Sequence, residues 1–187
     1  MSAPATPDAS PAVPAAGEPA PTAAPTARAL VLENVILGVK TAVVASACYT
    51  LAPRLGVREA YWTAISCIIV MQGEVAATLT ASRDRLVGTA IGGVLGWGCA
   101  VIWGGNVVLY GIAVLLALVV CGALGLAGAG RISAVTVSII TLLPHTGPAW
   151  LVSLHRLLGV SVGVIVGLAA VLGSERLERR WRERGRR

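Results

Sequence analysis

The chain has 187 residues, 56% hydrophobic and only 13% charged, with a mean hydropathy of +0.78. Soluble domains carry about 25% charged residues, so a water-soluble globule is excluded and a polytopic membrane protein is indicated. The formal net charge of +6 comes mostly from the arginine-rich stretch 174–187, which the excess of cytoplasmic Lys and Arg in membrane proteins explains without a nucleic-acid partner.

Residues 1–27 come first. Seven of the ten prolines fall within 1–26, between Ala, Ser and Thr. Such a stretch buries little apolar surface and is expected to be a disordered cytoplasmic tail. It has neither the basic nor the apolar region of a signal peptide.

Residues 28–173 then read as one membrane domain of six spans, at about 30–51, 61–79, 86–103, 107–126, 132–151 and 157–173. Each is about 17 to 22 residues long without polar alternation, which favours helices over barrel strands. Tyr61-Trp62 is an interface pair at the start of the second span. Gly104-Gly105-Asn106 reads as a tight turn. With the N-terminus inside, eleven arginines fall on the inner segments, and three, Arg54, Arg58 and Arg156, on the outer ones. The expected fold is therefore an all-α integral membrane protein with six transmembrane helices and both termini in the cytoplasm.

The stretch ASRDRLVGTAIGGVLG at 81–96 returns as VSLHRLLGVSVGVIVG at 152–167. Arg85 and Arg156, Gly88 and Gly159, Gly92 and Gly163, and Gly96 and Gly167 all stand 71 residues apart. The unit is three helices. Three is odd, so the second unit enters the membrane in the opposite sense, giving a 3+3 inverted repeat, a recurrent plan of transporters. Gly88, Gly92 and Gly96 form one ridge of small residues, and Gly159, Gly163 and Gly167 another. Such ridges let helices approach closely in lipid, here either each other or a second subunit.

Gly73-Glu74 aligns with Pro144-His145 at the same offset. Each pair breaks a span with a helix breaker followed by an ionisable residue, a sequence pointer to a transport site. Both also read as a simple kink and a loop at the interface. Glu74 or His145 is the candidate proton carrier, because His titrates near neutral pH and a buried carboxylate shifts toward it. Lys40, about ten residues into the first span, is either an anion-attracting or proton-coupling group or a snorkelling or internally paired lysine. Arg85 and Arg156 are expected at the ends of spans three and six, on opposite membrane sides, capturing a carboxylate at each mouth or anchoring to headgroups. Asp84 is expected beside a neighbouring arginine.

Residues 174–187 read as a basic cytoplasmic tail, a short helix laid on anionic lipid with Trp181. Glu175–Arg179, Glu178–Arg182 and Glu183–Arg187 are its expected pairs. Cys48, Cys67, Cys99 and Cys121 each sit in a different apolar run and read as buried thiols. No nucleophile–base pair, metal-ligand cluster or phosphate-binding loop appears, so no catalytic residue, metal or cofactor is assigned.

Tyr61, Trp62, Gln72, Ala77, Thr78, Leu79, Arg85, Leu86, Gly88, Thr89 and Gly92 carry a recognisable motif, and His155-Arg156 to Gly159 looks like its second half. The chain over about residues 28–173 resembles the fusaric acid resistance-like family, FUSC, which includes the aromatic acid exporters. The resemblance implies a six-helix membrane domain and efflux of aromatic carboxylates and related anions driven by the proton gradient. Residues and resemblance together give the expected reading of an inner (plasma) membrane protein with Lys40, Gln72, Glu74, Arg85, His145 and Arg156 along the substrate and ion pathway. Many relatives are longer or doubled, so a homodimer is what a single domain needs to match them. Where relatives often have Pro after Gln, this chain has Gly73. The alternative reading is a non-transporting membrane subunit that assembles through its glycine ridges.

Overall fold

The structure, a computed structural model, describes residues 27–57, 59–102, 106–144 and 147–185. The Pro-rich segment 1–26 and His145 lie outside the described residues. Among the described residues there are six α-helices and no strand: α1 (Ala27–Leu51), α2 (Ala60–Val70), α3 (Val75–Ile102), α4 (Val107–Ala123), α5 (Ala127–Leu142) and α6 (Ala149–Arg184). A 3-10 turn over Ala52–Leu55 closes α1, where Pro53 removes a backbone donor.

Three of these helices are long and apolar enough to cross a membrane: within α1 and the turn after it (Leu30–Leu55), α3 (Val75–Ile102) and most of α6 (Ala149–Trp181). The other three are apolar but shorter. At about 1.5 Å per residue, α2 reaches only about 16 Å, and α4 and α5 about 25 Å, against a hydrocarbon core of about 30 Å.

Local sequence sets these lengths. The Gln72-Gly73-Glu74 break ends α2 and starts α3, instead of interrupting a single span as the sequence suggested. The turn is pinned by Thr78, whose Oγ1 accepts from Gln72 N at 3.2 Å and donates to the Glu74 carbonyl at 2.9 Å. Asn106 caps α4, accepting from Val108 N at 2.9 Å and Leu109 N at 3.4 Å. Gly125, with φ of 69°, supplies the left-handed turn between α4 and α5. Gly128 and Gly130 lie inside the first turn of α5.

The basic stretch is not a separate element, because α6 runs unbroken from Ala149 to Arg184. Of its expected pairs, Glu175–Arg179 is present at 3.9 Å. Glu178 joins Lys40 at the middle of α1 at 2.9 Å, and the Arg182 side chain and Arg187, on which the other two expected pairs depend, lie outside the described residues. Cys48, Cys67, Cys99 and Cys121 are all buried and free.

The glycine ridges set the packing. α3 packs most extensively on α5. A Cβ at Gly92 would run into the Ser133 carbonyl, and one at Gly88 would stand 2.5 Å from the Ala129 carbonyl; Gly96 rests on Val137 and Ile140. α6 packs on α2 in the same way. Gly163 meets the Thr63 carbonyl and Ser66, Gly159 meets Trp62 and Thr63, and Gly167 meets Cys67. Small residues admit backbones at these distances. The two ridges therefore do not face each other or a second subunit: each is filled by a short helix of this chain. α3 and α6 touch along other faces. The Ser153 hydroxyl donates to the Gly93 carbonyl at 3.2 Å, and Leu86 sits with Val160 and Val164. This pairing makes α3 and α6 antiparallel, while α2 runs parallel to α6 and α5 parallel to α3.

Candidate functional site

α3 carries polar residues on its buried side. Thr78, Ser82, Arg85 and Thr89 are all buried. The Ser82 hydroxyl donates to the Thr78 carbonyl and that of Thr89 to the Arg85 carbonyl, both at 2.7 Å. This back-bonding satisfies the hydroxyl hydrogens inside the helix, so the polar run belongs to α3 and moves its start back to Val75. Arg85 consequently lies about three turns into the helix, where the sequence placed it at a span end. Its Nε donates across to Ser66 Oγ on α2 at 3.3 Å.

Arg156, about two turns into α6, reaches the same short helix. Its guanidinium carbon lies 3.5 Å from the centre of the Trp62 ring. Trp62 and Ser66 are one turn apart on α2, so both cations gather on one stretch of one helix, within electrostatic reach of each other. This corrects the expectation of one arginine at each mouth. Both are deeply buried, with 4% of Arg85 and 2% of Arg156 exposed.

No carboxylate forms an ion pair with either arginine among the described residues. Glu59, at the N-cap of α2, is within electrostatic reach of Arg156 but makes no such pair. Asp84 lies against Gly128 on α5 and forms no ion pair with an arginine among the described residues. Nε and Nη1 of Arg156, and Oγ1 of the adjacent Thr63, have no hydrogen-bond partner among the described residues. A buried ion without compensation costs several kcal/mol. A buried guanidinium with donors to spare, and a second one gathered on the same helix, have the chemistry to hold an anion. Arginine suits this role because its planar fork matches a carboxylate and its charge is permanent.

The remaining sequence candidates fall elsewhere. Lys40 is the internally paired lysine, held by Glu178. Lys40 and Gln72 line one cavity of about 410 Å³ between α1, the end of α2 and α6, together with Met71, Glu175 and Glu178. The amide of Gln72 donates back to the Ile69 carbonyl at 2.9 Å. Glu74 is exposed at the α2–α3 turn, away from the arginines. On the α3–α6 seam, a cleft of about 270 Å³ is lined by Trp97, Trp150, Leu157 and Thr89 among others, one turn along α3 from Arg85. Trp97 and Trp150 also border a larger cavity of about 540 Å³, which Thr141 lines with a buried hydroxyl that has no partner among the described residues.

Sequence reasoning missed Trp62, Thr63 and Ser66 as site residues. Trp62 reads as an interface marker. Two small hydroxyls in an apolar run, at i and i+3 beside a tryptophan, were the available signal.

A family model described as fusaric acid resistance protein-like matches residues 42–170. The chain belongs to the fusaric acid resistance protein-like family. No curated protein and no solved structure matches it. The match takes in Trp62, Thr63, Ser66, Arg85 and Arg156, and leaves out Lys40 and Glu178. Membership points to a membrane protein with a transport or efflux-related role, since fusaric acid resistance-like proteins are transporters rather than enzymes.

Proposed function

We propose that this fusaric acid resistance-like chain is an integral protein of the inner (plasma) membrane that exports organic anions, aromatic carboxylates among them. The observation that carries the reading is the buried pair Arg85 and Arg156, gathered on α2 without a matching carboxylate. Ionisable residues inside a membrane bundle mark substrate or ion pathways. The tryptophan-lined cleft one turn along α3 offers an apolar wall for the body of such a substrate.

The six helices act in this proposal as a 3+3 inverted repeat, with both termini cytoplasmic. Support comes from matching seams: Gly92 meets Ser133 and Thr136 on α5 where Gly163 meets Thr63 and Ser66 on α2. A homodimer would use faces other than the glycine ridges, which are filled within the chain. The exposed Arg176, Arg179, Arg180 and Trp181 on the α6 extension are the groups for contact with anionic lipid. Proton coupling through Glu74 or His145 belongs to the sequence reading. Glu74 stands apart from the arginines and His145 is outside the described residues, so the proposal rests on the anion.

The test is efflux from cells lacking their own exporters, loaded with labelled aromatic acids. Faster loss with the wild-type chain, abolished in Arg156→Met, is the expected result. No acceleration by a chain shown to be folded in the membrane would overturn it in favour of a non-transporting subunit.

A further inference from the structure

We infer that the chain is an anion exchanger, whose arginine site crosses loaded in both directions and does not return empty. The inference rests on the transporter reading above and concerns how the same site turns over.

Its first ground is chemical. A site that carries charge on a histidine or a carboxylate can return neutral, by losing or gaining a proton. Arginine does not release its proton in proteins, so this site has no neutral form of its own. Its positive charges are set by Arg85 and Arg156, and what balances them is what the site binds.

The second ground is placement. Glu59 reaches Arg156 only at a distance, without an ion pair. Lys40 is tied to Glu178 at 2.9 Å, and Glu74 is exposed at the α2–α3 turn. His155 precedes Arg156 in the chain and is half-buried. Among the described residues no carboxylate closes on the guanidinium pair to take the anion's place once it leaves.

The third ground is mechanical. Reorienting the site shears α6 against α2 and α3 against α5, the seams where Gly163 rests on the Thr63 carbonyl and Gly92 on the Ser133 carbonyl. Moving two like charges without ion-pair partners through that close-packed interior is far costlier than moving them with an anion between them. The loaded carrier therefore turns over quickly, the empty one stalls, and net movement of one anion requires another in return.

The experiment uses the full chain reconstituted in liposomes, with the membrane potential clamped. Uptake of radiolabelled benzoate is compared between vesicles loaded with unlabelled benzoate and vesicles holding buffer alone, after subtracting leak into protein-free vesicles. Exchange predicts an initial rate higher by about tenfold or more in the loaded vesicles, insensitive to a protonophore and retained in His155→Ala. Arg85→Gln, which leaves a single cation, brings the ratio of loaded to unloaded rates toward one, a change that a merely structural role would not produce. Equal wild-type rates in loaded and unloaded vesicles would overturn exchange and leave the transporter standing. No protein-dependent uptake in either vesicle would overturn both.

Discussion

The guanidinium carbon of Arg156 lies 3.5 Å from the centre of the Trp62 ring, on a helix only 11 residues long. The ring face lies against the cation, whose Nε and Nη1 have no hydrogen-bond partners among the described residues. A stack of this kind is worth about 2 kcal/mol when desolvated. Trp62→Leu removes it and is expected to lower transport together with thermal stability in detergent. Trp62→Phe keeps a ring face and is expected to retain most of both. Equal loss in the two variants would show that bulk, and not the π face, holds Arg156.

Stability and function are expected to part at the arginine itself. Replacing a buried ion with an apolar residue of similar size is often neutral, or stabilising by about 1–4 kcal/mol. Arg156→Met should therefore melt at the same temperature as wild type or higher, even after losing the Trp62 stack, while transport disappears. A lowered melting temperature would mean that Arg156 is a structural cation with compensation from its surroundings. Differential scanning fluorimetry on purified protein decides this.

The element order and the presence of two glycine faces were legible in the sequence, because apolar runs and four-residue spacing are local signals. What each face touches was not. Gly88 and Gly159 look interchangeable, and only the fold assigns one to α5 and the other to α2. The arginines stood out in the sequence, but their convergence was hidden, since the polar run before Arg85 reads as a loop until Thr78 and Ser82 are seen bonding back within α3. Lys40 could be read as paired or free, and its partner lies 138 residues away on a stretch that looked like a separate tail.

The glycines sort into two groups by what a side chain would meet. Gly92→Ala and Gly163→Ala drive a methyl into backbone carbonyls of Ser133 and Thr63, which cannot swing aside as a side chain would. Overpacking of this sort costs about 1–3 kcal/mol or more. Gly98 and Gly111 have nothing within 4 Å of a built Cβ, and Ala there gains up to about 1 kcal/mol of helix propensity. Thermal melts of the four single variants should separate into two clear pairs. Similar shifts across all four would mean that the seams relax and that the ridges do not set the helix spacing.

The Lys40–Glu178 pair is the remaining cross-link between the middle of α1 and the end of α6. Both side chains are partly exposed, 39% and 57%, so its net worth is at most about 1 kcal/mol and falls with salt. Lys40→Ala is therefore expected to cost little stability, and the charge-reversed double variant Lys40→Glu with Glu178→Lys to recover what either single reversal loses. If Lys40 served the anion directly, the double variant would fold as well as wild type yet fail to transport. If the pair only ties α1 to α6, the double variant transports at the wild-type rate. Measuring melting temperature and benzoate uptake side by side on the two single and the double variants separates the roles, and the buried position of Arg85 and Arg156, with no matching position for Lys40, favours the tie.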